Sequence, residues 1–185
     1  MEVHRHQPPR IVIIGGGFAG GAAARALRRS NAEIVLIDRR NHHIFQPLLY
    51  QVATAILAPS TIAMPIRQLA AKQKNLSVTM AEVTRVDLTS RSLDTISPVV
   101  GARKIAFDYL VLATGMRPSY FGHDEFAKHA PGLKTLADAE AIRAKILSAY
   151  EAAEETDDAD ELARQMTFVL VGAGRLVSSW PGRLP

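Results

Sequence analysis

The sequence predicts an α/β fold built on a parallel sheet, and three observations carry that reading. Arg10–Ile14 is a β-branched run that ends in glycines, Phe18–Ser30 carries Ala22, Ala23 and Leu27 at helical spacing, and Glu33–Ile37 is a second β-branched run ending at Asp38. A short apolar run bounded by turn residues reads as a strand buried on both faces. Strand, helix and strand in roughly thirty residues have the size of one βαβ unit.

The arginines at the end of the first helix complement its negative pole. Gly21 costs that helix about 1 kcal/mol relative to alanine, which points to close packing at that position. The following stretch, "RRNHHIFQPLLYQVATAILAPSTIAMP", is too punctuated by proline for one long element. A helix is predicted over Thr61–Lys72, with Ser60 as its cap. Leu76–Val99 alternates apolar and polar residues between turn signals and predicts short antiparallel strands. Tyr109–Ala113 is another buried strand, ending in Thr114-Gly115. A loop with Pro118, Gly122 and Pro131 leads to a helix over about Leu136–Glu155, then to a strand-like run, Met166–Val171, which opens onto Gly172 and Gly174. The organisation expected is a first domain over 1–117 with a small strand insert over about 76–107, a connecting loop and helix over 118–165, the opening of a second domain over 166–174, and a tail over 175–185.

With 185 residues, 48% of them hydrophobic, the composition is that of a globular protein. No apolar run is long enough to span a bilayer, and Met1–Gln7 leads into "PPRIVIIGGG" without a secretory apolar region, so a cytoplasmic location is expected. The absence of cysteine excludes disulfides, thiolate–metal sites and dithiol redox chemistry. A net charge of +4 does not point to nucleic acid, because Arg25, Arg28, Arg29, Arg39 and Arg40 are scattered, with no basic stripe interleaved with aromatics. Glu151–Glu161 is an opposing acidic cluster, read either as a solvated helix end or as a contact surface.

The most informative motif is "GGGFAG", in which Gly15, Gly17 and Gly20 form G-x-G-x-x-G. The first glycine makes the tight turn, the second lets backbone approach a pyrophosphate, and the third lets the helix pack close to the sheet. Phe18 and Ala19 lie at the helix start, where free N–H groups and the positive pole face the phosphates. Asp38, 18 residues beyond Gly20, is placed to accept hydrogen bonds from a ribose. Thr114-Gly115 is either a second wall of the ligand crevice or ordinary turn chemistry. His42 and His43 are adjacent, so a strand would point them to opposite faces, and no cysteine or paired acid supports a metal site. Gln46, Tyr50 and Gln51 are polar residues in an apolar loop, read equally as substrate-side groups or as loop solvation.

The stretch "IDRRNHHIFQPLLYQVAT", together with "IVIIGGGFAG", "YLVLATG", "SYFGHDEFAKHAPGLKTLADA" and "VGAG", resembles the type II NADH dehydrogenases, the non-proton-pumping NADH:quinone oxidoreductases. The resemblance runs from about Arg10 to Gly174, and Asp38–Thr54 is its most specific part. It implies a Rossmann-like FAD-binding domain of the two-dinucleotide-binding-domain flavoprotein type. Gly15, Gly17 and Gly20 would lie at the FAD pyrophosphate and Asp38 at its ribose. Arg39 and Gln46 would lie along the cofactor, Val83 at the adenine end, and Ala113, Thr114 and Gly115 along the crevice. NADH would bind a second Rossmann-like domain opening at Gly172 and Gly174, and electrons would pass through the flavin to a quinone at the membrane surface. The resemblance also implies peripheral membrane association at the cytoplasmic face of the inner membrane for the full-length protein, and admits a homodimer. The alternatives are another FAD- and NAD(P)-dependent pyridine-nucleotide oxidoreductase, or a non-enzymatic nucleotide-binding remnant. The missing cysteine pair argues against a disulfide reductase.

After Gly174 the resemblance implies Pro-Thr-Gly-Val-Glu-Leu-Ala-Gly, whereas this chain reads "RLVSSWPG". Codons GGC CGA CTG GTG TCG AGC TGG CCG GGC, read from the last base of the Gly174 codon, become CCG ACT GGT GTC GAG CTG GCC GGG, which encode the implied residues. Trp180 has a single codon and Pro181 begins CC, so the shifted codon there must be alanine. A single lost base near the Gly174 codon is therefore expected. The tail as written has neither the third glycine nor the following helix, so NADH binding is expected to fail and Arg175–Pro185 to be disordered.

Overall fold

The computed structural model describes residues 7–172. In chain order the first elements are β1 (Arg10–Ile14), α1 (Phe18–Ala26), β2 (Glu33–Asp38) and β3 (His42–Ile44), followed by α2 (Leu49–Ala53), α3 (Pro59–Ile62), β4 (Ala63–Pro65) and α4 (Ile66–Ala70). Next come β5 (Leu76–Met80), β6 (Glu82–Asp87), β7 (Ser92–Ser97), β8 (Gly101–Ala106) and β9 (Tyr109–Leu112), then α5 (Leu136–Glu154) and α6 (Ala159–Gln165). The described residues fall into two compact units, one of residues 7–43 and 64–116, the other of residues 44–63 and 117–172.

The first unit is built on a parallel sheet of order β5-β2-β1-β9. Its registers run Ile11↔Ile34 and Ile14↔Ile37 on one side of β1, and Ile11↔Tyr109 and Ile14↔Leu112 on the other. Successive side chains point to opposite faces, and both faces are covered. Val12, Ile14, Val35 and Ile37 pack with Ala81, Leu93 and Phe107. Ile13, Ile34 and Leu36 pack with Ala24 of α1 and Ile66 of α4. Burial on both faces is why β1 and β2 are continuous apolar runs rather than alternating ones. β6, β7 and β8 form a separate antiparallel meander.

In the second unit α2 and α5 share a core of Leu49, Val52, Ala53, Ile62 and Ala139. α5 starts with a capping box. The Thr135 hydroxyl accepts from the Asp138 N–H, and the Asp138 carboxylate accepts from the Thr135 N–H. Asp158 caps α6 by accepting from Asp160 and Glu161, so part of the acidic cluster serves helix capping. Among the described residues no helix is long and apolar enough to cross a membrane.

Four expectations are corrected. Tyr109–Ala113, expected to be a buried strand, forms β9 at the end of the sheet order with Tyr109 and Leu112 exposed, because no further strand among the described residues pairs with its outer side. The single helix over Thr61–Lys72 is replaced by α3, β4 and α4. Pro65 offers no N–H to a helix and pushes Met64 into extended backbone, and α3 is entered from Ala58 with Pro59 in its first turn rather than capped by Ser60. Leu76–Met80 is not part of the antiparallel set but pairs in parallel with β2. Met166–Val171 forms no strand. The Met166 N–H donates to Leu162, and Thr167 bonds back to Arg164 and Ala163, so the end of α6 takes the groups that a sheet neighbour would have taken. Gly174 and the tail 175–185 lie outside the described residues.

Candidate nucleotide-binding site

The chain runs outward from β1 through β2 to β5 and then returns to β9 on the other side of β1. This reversal puts the switch point of the strand order at the carboxyl ends of β1 and β9, the position where open α/β sheets bind ligands. Gly15 leaves β1 and donates to the Ile37 carbonyl at 2.8 Å, while the Ala113 N–H, just past β9, donates to Ile14 at 2.8 Å. The two strand ends are thereby held together at the turn.

The glycines of the turn have different reasons to be glycine. Gly15 has φ +108°, and a side chain there would run into the Ala113 carbonyl. A Cβ on Gly20 would strike the Gly15 carbonyl and lie 3.3 Å from Ile13, so this residue sets how closely α1 approaches β1. Gly16 falls at a position the motif leaves open, but it is buried, with a Cβ meeting Ile66 at 2.6 Å. Gly17 is unlike these three. Its φ of −74° and ψ of −162° suit any residue, it is exposed, and nothing lies within 4 Å of its Cβ position. The protein itself gives no steric reason for glycine here, as expected where a ligand approaches the backbone.

Phe18 and Ala19 are exposed in the first turn of α1, which has no side-chain cap and no acidic residue. The positive pole of the helix thus has no acidic residue in its own first turn. Asp38, at the end of β2, accepts from the Gly16 N–H through Oδ2 at 2.6 Å and from the Arg40 N–H through Oδ1 at 2.8 Å. A carboxylate has about four lone-pair sites, so these two bonds leave capacity for a hydroxyl group. Arg39, beside it, is exposed. His43 Nδ1 bonds the Gly16 carbonyl at 3.1 Å, and the Phe18 ring meets the His43 ring edge-on with centroids 5.0 Å apart.

Val83 sits in β6 opposite Thr95, immediately before an irregularity in the ladder, with its side chain against the Val12–Ile37 face of the sheet. Ala113 is half-buried, and Thr114 and Gly115 are exposed, Gly115 with φ +74°. Gln46 opens a 3₁₀ turn over Gln46–Leu48 in the second unit. Nearby, Gln51 Nε2 donates to the Tyr50 hydroxyl at 3.0 Å. Gly172 is exposed with φ +114°. The structure therefore gathers Gly15, Gly17, Phe18, Ala19, Gly20, Asp38 and Ala113 at one turn. It adds Gly16 and His43, which sequence reasoning missed. The third consecutive glycine was a visible signal for Gly16; for His43 only the residue type was visible, and its partner was not. Among the described residues no group of three or more His, Asp or Glu side chains is placed to hold a metal ion.

A family model for the pyridine nucleotide-disulphide oxidoreductases matches residues 9–176. The type II NADH:quinone oxidoreductases Ndh and NdhA of Mycobacterium tuberculosis are 46% and 48% identical over 172 residues, a span covering 91% and 89% of this chain but 37% and 35% of those proteins. The external alternative NADH-ubiquinone oxidoreductase of Yarrowia lipolytica mitochondria is 31% identical over 80% of this chain and 27% of its own length. The chain thus spans between about a quarter and little more than a third of the length of these relatives. Among solved structures, NDH2 from Plasmodium falciparum in complex with NADH superposes with a TM-score of 0.73 at 25% identity, covering 85% of this chain and 32% of that one. The family match takes in both the Gly15 turn and Gly172, and this chain, with its Rossmann-like parallel sheet, belongs to the pyridine nucleotide-disulphide oxidoreductase family.

Proposed function

We propose that the chain carries the FAD-binding part of a type II NADH:quinone oxidoreductase. The open space at Gly17 carries this reading, and the similarity to the mycobacterial enzymes supplies its direction. Gly15, Gly17, Phe18, Ala19 and Gly20 would hold the pyrophosphate and Asp38 the ribose. Arg39 and Gln46 would lie along the cofactor, Val83 at its adenine end, and Ala113, Thr114 and Gly115 along the crevice wall. When bound, FAD supplies the chemistry, accepting hydride and passing electrons to a quinone. The contribution of these residues is to bind and orient it. Gly172 and Gly174 would begin the NADH site, so residues 1–117 form the flavin domain and 166–174 open the second. Association with a membrane surface on its cytoplasmic side, and pairing of two copies, belong to the whole protein of this kind.

The departure after Gly174 is read as a reading-frame slip, and the family match ending at residue 176 supports this. Sequencing the gene across the Gly174 codon should show that the shifted frame encodes Pro-Thr-Gly-Val-Glu-Leu-Ala-Gly; a sequence without that coding potential removes the slip.

The cofactor reading is tested with ADP, the half of FAD that meets the turn. Gly17→Ala should leave folding intact, or stabilise it by about 0.4–1 kcal/mol through a less flexible unfolded chain, while ADP affinity falls at least about tenfold, a loss of roughly 1.4 kcal/mol. Gly20→Ala should lose both stability and binding. A Gly17→Ala chain that binds ADP as the wild type does would refute the reading.

A further inference from the structure

Gly16 sits between two peptide groups, and a side chain holds each of them. The Gly15–Gly16 peptide is fixed through its N–H, which donates to Asp38 Oδ2 at 2.6 Å. The Gly16–Gly17 peptide is fixed through its carbonyl, which lies 3.1 Å from His43 Nδ1. A carbonyl is an acceptor only, so this ring nitrogen carries the proton. Both side chains come from one connection. The Arg40 N–H turns back onto Asp38 Oδ1, and the chain then enters β3, where His43 faces the glycine turn. Phe18 packs edge-on against the imidazole from the other end of the turn, with an interplanar angle of 83°.

The consequence follows from peptide geometry. A trans peptide sets its carbonyl and its N–H in opposite directions, and there are no cis bonds among the described residues. With the Gly16 carbonyl drawn to His43, the Gly17 N–H must point away from the histidine. Gly17 is also the residue with nothing within 4 Å of its Cβ position. Two glycines in succession would otherwise let this peptide flip at little steric cost.

We propose that His43 is a positioning residue for the nucleotide turn, its Nδ1–H locking the Gly16–Gly17 peptide so that the Gly17 N–H faces the phosphates. This rests on the cofactor reading given above. The role differs from metal ligation and from contact with the ligand, because His43 acts through a backbone carbonyl. Asp38 and His43 together form a two-sided clamp on Gly16.

The test separates the bond from the ring. In His43→Asn the amide nitrogen takes the place of Nδ1 and keeps the donor; in His43→Phe the ring survives against Phe18 and the donor is lost. ADP affinity should fall about tenfold in His43→Phe, the scale of one oriented hydrogen bond, and stay within about threefold of wild type in His43→Asn, with circular dichroism showing both folded. Equal losses in the two variants, or no loss in His43→Phe, would overturn the proposal. Nitrogen NMR of the wild-type imidazole, at a pH where the ring is neutral, should show the proton on Nδ1; a proton on Nε2 alone overturns it, whether or not the variants fold. Failure of the wild-type chain to bind ADP sinks the cofactor reading instead, and the NMR result then decides on the His43 lock by itself.

Discussion

Asp38 accepts one backbone N–H on each carboxylate oxygen, from Gly16 and from Arg40. Its distance from the glycine motif marked it as a ribose acceptor, and that reading used only spacing and residue type. Its duty within the fold was not legible, because spacing does not reveal which N–H turns back onto a side chain. The same limit applied to His43, where an adjacent histidine pair invited a metal question while the actual partner was a carbonyl 27 positions away in sequence. The two duties of Asp38 can be separated from its charge. Asp38→Asn must turn an NH₂ group toward one of the two N–H donors, so the unfolding free energy should fall by about 1–3 kcal/mol. Urea denaturation measures it, and an unchanged midpoint counts against the clamp.

Elements dominated by one local signal were legible in order and extent. β1 and β2 are apolar runs ended by glycine or aspartate, and α5 runs over Leu136–Glu154 where a helix over about Leu136–Glu155 was expected. Elements decided by distant partners were not. Leu76–Met80 shows the same alternation in a parallel as in an antiparallel neighbourhood, and its pairing with β2 follows from Leu76 and Val78 packing beside Ile34 and Leu36. Pro65 was visible, but a helical pattern was carried through it. The meander offers a pH test at this scale. At the β6–β7 turn the Asp87 Oδ1 accepts from Thr89 and Ser90 at 3.0 and 2.9 Å. The Ser90 hydrogen bonds foremost hold this exposed carboxyl below its ordinary value of 3.8. A lowered folded-state value means that the ionised form favours the turn. That contribution is complete above the ordinary value and is lost as the pH falls through the lower one. The protection of the Ser90 amide, its exchange rate relative to the unstructured rate at the same pH, should therefore be lost only at acid pH below 3.8; a loss of protection beginning above it would show that the turn does not depend on the ion.

At the scale of the whole molecule, the chain carries its glycine-rich turn on little more than a third of the length of the mycobacterial relatives. The outer edge of β9 has no neighbour among the described residues, and Tyr109 and Leu112 are 61% and 68% exposed there. Unpaired edges with apolar side chains invite association with other chains. A polypeptide of these 185 residues alone should purify without stoichiometric FAD and show no NADH:quinone turnover; flavin absorbance with NADH-dependent quinone reduction would contradict this. The strand order also has a consequence for synthesis. β1 lies between β2 and β9, and the Arg10 N–H bonds the Asp108 carboxylate across 98 positions of sequence. The strand at the centre of the sheet therefore leaves the ribosome first and must wait, with one edge open, until the last of its partners has been made. With chains growing at roughly 5–20 residues per second, that wait lasts some seconds. A nascent chain of this protein thus has a built-in interval in which the apolar strand β1 is half-clad, and a holdase that shields strands should find its binding site at Arg10–Ile14.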